Sequence, residues 1–555
     1  MLKALVSQLL NRGADANHYG RGTEARKRRD WEAAIRCYEC ALRTDPRHAD
    51  ARNDLGLVYC EQREFAKARD AFERVLAADP DHSIANLNLA NLLREEFLDF
   101  PAAELRYRRA LAAGIAPGEA LPGLGLSLQE QGKVEEAVEC YREAIRLDAE
   151  DLVAREYLLF ALNLLPEQSA QDVFEEHLRW AAVLGPVPAP QRLDPMSRRR
   201  IRLGFVSGDF RSHSTAAFLR PLLRELDRMR FEVFCYSNSS AADHVTETIK
   251  RIAEHWRDVC TVTDTEATEK IRDDGIDILI DLSGHTRGGR PGIFARRPAP
   301  VAITWLGYLN TTGLASMDFR ITDARADPPG QSEAFHTERL IRLSDVQWCF
   351  EPPSDAPARA EPGDAPDPPG VTFGSCNHIA KLNERVLVLW ARLLTEIPQS
   401  RLVVLAVPDH TAAQRVTAKL TVHGVAAERL EFHGRLPRDR YWQVLSDIDI
   451  ALDPFPYNGG ATTCECLWMG VPVVSIAGRF GFARSGASVL GSIGLADLVA
   501  GNEEEYLATA AQLARDSARL RKLRRELRER MRASPLLDAR RFARAFEYAL
   551  LGTLK

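Results

Sequence analysis

The sequence has 555 residues, of which 45% are hydrophobic and 27% charged, with a formal net charge of -5. A single core stops growing near roughly 250–300 residues, so several folded units are expected. The composition excludes a fibrous or wholly disordered chain, and the mild acidity does not suggest a nucleic-acid binder.

No apolar run approaches the ~18 residues that a membrane span needs. The opening MLKALVSQLLNRG has apolar residues at helical spacing and lacks the long apolar stretch and cleavage site of a secretory leader. Of the ten cysteines, Cys37 and Cys40 form a CxxC with no second pair to complete a four-ligand zinc site. Reduced thiols and a cytoplasmic location are the expectation.

The first third repeats itself. WEAAIRCYECALRTDP (Trp31 to Pro46) returns as FAKARDAFERVLAADP (Phe65 to Pro80), one 34-residue period later. Ala34, Tyr38 and Ala41 correspond to Ala68, Phe72 and Val75, and in a later copy to Ala137, Tyr141 and Ala144. The copy between them, PAAELRYRRALAAG, carries a one-residue insertion. This period and small/aromatic/small rhythm predict a TPR solenoid over residues 1–185, the segment after Asp151 capping it. Such arrays leave a concave groove, here expected to hold a substrate polypeptide, with a scaffold or dimer surface as the alternative.

PVPAPQRLDPMSRRR (residues 186–200) reads as a joint. Beyond it, IRLGFVSGDF, FEVFCYS, DILIDLSG, VAITWLGY and FRITD read as strands alternating with helices, which predicts a parallel α/β lobe over 201–350. Residues 351–370 are too rich in proline, alanine and glycine to pack and are expected to be an exposed linker. A second α/β lobe with terminal helices is expected over 371–555, from VTFGSC, RLVVLAV, LEFHG, IALDPF and PVVSIAG. Two such lobes gather their strand ends at a cleft.

One stretch has the residues to hold a polyanion. LDPFPYNGGATTCECLWMGVP ends a strand in Asp453-Pro454, allows close backbone approach at Gly459 and Gly460, and opens a helix with Thr462 and Thr463. Free N–H groups at a helix start bind anions, and Glu465, one turn on, can accept from ribose hydroxyls. A plain strand–turn–helix with threonine caps uses the same residue types.

Lys381 follows another strand end and can add a point charge, or be an ordinary surface lysine. His213, past the first strand of the other lobe, suits a general base, or a capping residue. Asp281, His285 and Thr286 stand at a third strand end as cleft-lining candidates. Asp447 and Asp449 form a DxD, but no third ligand accompanies them, and Mg²⁺ takes more oxygens than two carboxylates supply.

Together these windows resemble the protein O-GlcNAc transferases and their SPINDLY branch over nearly the whole chain. The matching stretches are SGDFRSHSTAAFLRPLL, DILIDLSGHT, RRPAPVAITWLGYLNTTG, FRITDARADPP, NHIAK and LDPFPYNGGATTCECLWMGVPVV. The resemblance implies a TPR array followed by a GT-B pair of Rossmann-like lobes. It also implies inverting, metal-independent sugar transfer from a nucleotide sugar to serine or threonine. No cofactor is implied, and UDP-GlcNAc is the expected donor.

By position, His213 matches a proposed catalytic base, Lys381 the lysine on the diphosphate, and His378 a polar residue near the nucleobase. Leu436, Arg438 and Tyr441 match the loop on the uracil and phosphates, Thr462 and Thr463 the phosphate-binding threonines, and Glu465 the ribose ligand. Two departures stand out. Animal members carry a histidine where this chain has Gly460, and their long domain between the lobes is absent. The NGGATTCE and SGHT wordings lean toward SPINDLY, whose plant members use GDP-fucose. The room at Gly460 suits a purine unless a neighbour such as Tyr457 fills it. A nucleotide-binding TPR protein without turnover is the remaining alternative.

Overall fold

The computed structural model describes residues 17–189, 200–357 and 370–554, in two compact units that meet in the chain at Leu158–Leu159. The amino-terminal stretch and most of the two proline-rich joints read from the sequence lie outside the described residues.

The first unit is helical. Helices Trp31–Thr44, Phe65–Ala78, Phe100–Ala112 and Val134–Leu147 each bury the small/aromatic/small set seen in the sequence. Each aromatic ring fills a notch opened by a glycine on a neighbouring helix. A Cβ on Gly56 would lie 2.6 Å from Phe72, one on Gly123 2.3 Å from Tyr107, and one on Gly125 2.4 Å from Tyr141. The one-residue insertion is absorbed by a wider turn of π-helix at Leu93–Phe97, which takes up an extra residue without breaking the helix. The following rings therefore keep their places.

The second unit holds two all-parallel sheets. In the first lobe the strands are β1 (Ile201–Ser207), β2 (Phe231–Ser237), β3 (His255–Asp258), β4 (Ile278–Asp281), β5 (Val301–Thr304), β6 (Phe319–Asp323) and β7 (Arg339–Leu343). Their order is β3-β2-β1-β4-β5-β6-β7. The second lobe has β8 (Thr372–Ser375), β9 (Arg401–Val404), β10 (Leu430–Phe432), β11 (Ile450–Leu452), β12 (Val473–Ile476) and β13 (Val499–Ala500), in the order β10-β9-β8-β11-β12-β13. The strand order reverses between β1 and β4 in one sheet and between β8 and β11 in the other. Ligands of open α/β sheets bind at such reversals, beyond the carboxyl ends of the strands.

Three expectations need correction. The segment expected only to cap the repeats is divided, and its helix Ala170–Val183 is built into the first lobe. His177 Nε2 lies 2.8 Å from the Tyr308 hydroxyl, and Trp180 packs edge-on to His285 at 4.4 Å. Against these aromatic partners His177 and Trp180 are fully buried.

The last helix, Ala539–Thr553, was assigned with the second lobe. It instead crosses back to the first, where Phe542 and Phe546 pack on Trp305 and the Phe350 N–H donates to the Leu536 carbonyl at 2.8 Å. The described start of the second joint is also anchored rather than free. Glu351 pairs with Arg220 and Arg224, and Asp355 with Arg438.

Candidate nucleotide-sugar site

The reversal between β8 and β11 collects a polar cluster. Past β8, Asn377 Oδ1 accepts from Lys381 Nζ and from Thr462 Oγ1, each at 3.3 Å. Past β11, Asp453 is consumed by its own loop, accepting from Gly459 N at 2.7 Å and from Ser475 Oγ at 2.6 Å. Lys381 Nζ also donates to the Asn458 carbonyl at 2.9 Å and sits 4.5 Å over the ring of Tyr457. Burial, only partly offset by the Asp453 carboxylate, pulls the Lys381 ammonium down to about 8. Burial likewise pushes Asp453 up to about 6. An ammonium held this way gains from any anion that reaches it.

Beside it the helix Ala461–Trp468 begins at Gly460 with no side-chain cap, so its first N–H groups stay open. The Thr463 hydroxyl is buried without a hydrogen-bond partner among the described residues. A Cβ on Gly459 would stand 2.6 Å from Thr462 Oγ1, 2.8 Å from Thr463 Oγ1 and 3.1 Å from Asn377 Oδ1. Glycine is thus required here by the oxygens that close over it, not by backbone angle.

One turn on, the Tyr441 hydroxyl donates to Glu465 Oε2 at 2.7 Å, and burial raises the Glu465 carboxyl. Arg438 is committed to Asp355 through bonds of 2.5 and 2.8 Å and covers Trp442 at 5.1 Å. Leu436 is half-buried beside them, and His378 is exposed, its Nδ1 accepting from Ala380 N.

On the first lobe, His213 is the N-cap of helix Ser214–Glu225. Its Nδ1 lies 3.2 Å from Thr215 Oγ1, 3.3 Å from Thr215 N and 3.5 Å from Asp209 Oδ2. Desolvation lowers its pKa below the ordinary histidine value despite the Asp209 charge.

Asp281 and His285 do not line a cleft. Asp281 is turned inward, accepting from the Ser283 and Gly284 N–H groups and from the Thr304 hydroxyl. His285 is buried among Trp180, His177 and Tyr308, and that burial drops its pKa to about 3. Thr286 is half-buried, its hydroxyl donating to the Ser283 carbonyl at 2.7 Å. The Leu309 to Gly313 turn beside them is also buried, with both threonine hydroxyls bound to Glu338. Strand-end turns need internal acceptors and donors for their own loops, and these residues supply them.

Asp449 accepts from Thr372 N at 2.8 Å and pairs with Arg524 where β11 begins, at the far end of that strand from Asp453. Among the described residues no group of three or more histidines, cysteines or carboxylates is placed to hold a metal.

Sequence reasoning missed Asn377 and Ser475, and left Asp453 without a role. Asn377 was within reach, since it directly precedes His378 at a strand end.

The family model for glycosyl transferase family 41 matches residues 186–348 and 362–546, and tetratricopeptide-repeat models match 19–83, 53–114 and 119–151. A tomato (Solanum lycopersicum) protein named "Probable UDP-N-acetylglucosamine--peptide N-acetylglucosaminyltransferase SPINDLY" is 37% identical over 73% of this chain and 44% of its own length. The chain thus spans less than half of that relative.

A Caenorhabditis elegans protein named UDP-N-acetylglucosamine--peptide N-acetylglucosaminyltransferase is 24% identical over 67% of this chain and 42% of its own. Among solved structures, a lysine-to-methionine mutant of Thermobaculum terrenum O-GlcNAc transferase is 36% identical. It superposes with a TM-score of 0.85 and covers 91% of this chain and 98% of its own. On its fold, its repeats and the family match across both lobes, the chain belongs to glycosyl transferase family 41.

Proposed function

We propose that this protein is an inverting O-glycosyltransferase. In this reading it moves N-acetylglucosamine from UDP-GlcNAc to serine or threonine hydroxyls of a polypeptide held by the TPR array. The observation that carries the reading is the buried Lys381 ammonium, lowered to about 8, beside an uncapped helix start. Such a pair is set to meet the charge that grows on a leaving nucleoside diphosphate.

The acceptor oxygen bonds to the anomeric carbon as the bond to the diphosphate breaks, and its proton passes to His213. For that, Nδ1 carries its hydrogen toward Asp209 while Nε2 keeps a lone pair. The same Nδ1 cannot then cap Thr215 N, whose 3.3 Å bond is long enough to give up. Lys381 and the helix start supply the positive field, so the reading calls for no metal. Glu465 with Tyr441 is the proposed ribose contact, and His378, Leu436 and Arg438 border the base.

The NGGATTCE and SGHT wordings favour a second reading, transfer of fucose from GDP-fucose. Titrating UDP and GDP side by side separates the two. Tighter UDP binding supports the first reading, whereas GDP binding at least about tenfold tighter, ~1.4 kcal/mol, assigns the second. Turnover of a labelled donor on a peptide library excludes a binding protein without activity.

A further inference from the structure

Gly460 has a φ of -114°, which does not demand glycine. Space does. The nearest atoms to a Cβ placed there are the Cη2 and Cζ3 of Trp348, at 3.3 and 3.5 Å. Trp348 belongs to the first lobe, past β7, and is 2% exposed. Its indole also packs on Phe218 at 5.1 Å, and Phe218 lies on the helix that His213 caps. One ring therefore touches both the helix that starts at His213 and the start of the helix bearing Thr462, Thr463 and Glu465. Its Nε1–H is buried with no hydrogen-bond partner among the described residues.

We propose that Trp348 is a positioning residue for sugar transfer: it occupies the side-chain space over Gly460 and, through Phe218, sets the spacing between the diphosphate-binding helix start and His213. This rests on the reading of the Gly460–Glu465 turn as the diphosphate site. It also replaces Tyr457 as the neighbour that fills the room at Gly460. Tyr457 is engaged elsewhere, stacked on Phe482 at 5.3 Å beneath Lys381.

A size swap tests the proposal, because a collision can be relieved from either side. Gly460→Leu alone, with Trp348 in place, should weaken UDP binding by at least about tenfold, the bulkier side chain displacing the indole across the helix start. Adding Trp348→Ala should recover most of that affinity. Trp348→Ala alone should leave the UDP dissociation constant within about threefold, since the proposed nucleotide contacts all stand on the second lobe. Its kcat should fall by about tenfold or more at an unchanged donor KM, and Trp348→Phe should restore part of it.

The proposal is overturned if Gly460→Leu binds UDP normally, if the double variant binds no better than the single, or if Trp348→Ala keeps a normal kcat. Thermal melts confirm that each variant folds, and where Trp348→Ala does not, Trp348→Phe paired with Gly460→Ala carries the same comparison. If the unmodified protein binds neither UDP nor GDP, the nucleotide reading fails together with the proposal. If it binds but the swap does not rescue, only the proposal fails.

Discussion

Replacing Lys381 by alanine removes a cation whose surroundings define what it does. Two of its three N–H donors go to Asn377 Oδ1 and the Asn458 carbonyl. An incoming diphosphate therefore gains one direct charged hydrogen bond together with the field of a poorly solvated charge. A hydrogen bond to a charged group contributes roughly 1.5–3 kcal/mol, so the mutant should bind UDP about 10- to 150-fold more weakly.

The pH dependence sharpens the test. With its pKa at about 8, the ammonium is roughly nine-tenths charged at pH 7, and UDP affinity should fall as pH rises through that value. Stability should move the other way. Between about 8 and the ordinary lysine value the unfolded chain keeps a proton that the folded site has released. This group's contribution to stability therefore rises with pH across that window.

Isothermal titration and thermal melts over pH 7 to about 10, each taken as wild type minus mutant, read both trends. A folded Lys381→Ala protein with a UDP dissociation constant within about twofold of wild type refutes the assignment. So does a mutant that keeps the wild-type decline in affinity with pH.

His213→Ala should lower transfer by about 10²–10⁴-fold while UDP binding holds within about threefold, as kinetics and calorimetry on the same preparation will show. Because burial lowers the His213 pKa, the acid limb of the wild-type pH–rate profile should lie below the ordinary histidine value; a limb above it excludes this residue as the base. Nucleotide binding and turnover should survive EDTA, and loss restored by Mg²⁺ or Mn²⁺ would return attention to carboxylates outside the proposed mechanism. Gly56→Ala places a carbon 2.6 Å from the Phe72 ring and should destabilise the repeats by about 1–3 kcal/mol, seen as earlier loss of helical circular dichroism in urea.

The repeats were legible in the sequence because their packing is local: each aromatic and its flanking small residues recur at fixed spacing, and the glycine notch lies on an adjacent helix. The strands β1, β2, β4, β5 and β6 were legible as apolar runs at turn boundaries. β3 (HWRD) and β7 (RLIRL) were not, since edge strands with charged residues lack that pattern.

Lys381 and Thr462 were legible from strand-end position, which sequence reveals, whereas Asn377, which joins them, was not. Whether a polar residue faces the site or its own loop does not follow. Asp281 and His285 have the residue types of a site, but the Gly284 and Ser283 N–H groups claim one and an aromatic pocket encloses the other. Trp348 was illegible for a similar reason, since Phe218 and Gly460 reach it from parts of the chain more than a hundred residues away on either side.

The return of helix Ala539–Thr553 to the first lobe bears on how the molecule is made. A ribosome releases β1 through β7 long before Phe542 and Phe546, yet Trp305 depends on those two rings for part of its cover. The earlier lobe therefore waits, with an apolar face uncovered, while the whole second lobe is synthesised, and transiently exposed apolar surface invites aggregation. Damage to helix Ala539–Thr553 should accordingly be felt in the first lobe, although the second lobe separates the two in the chain.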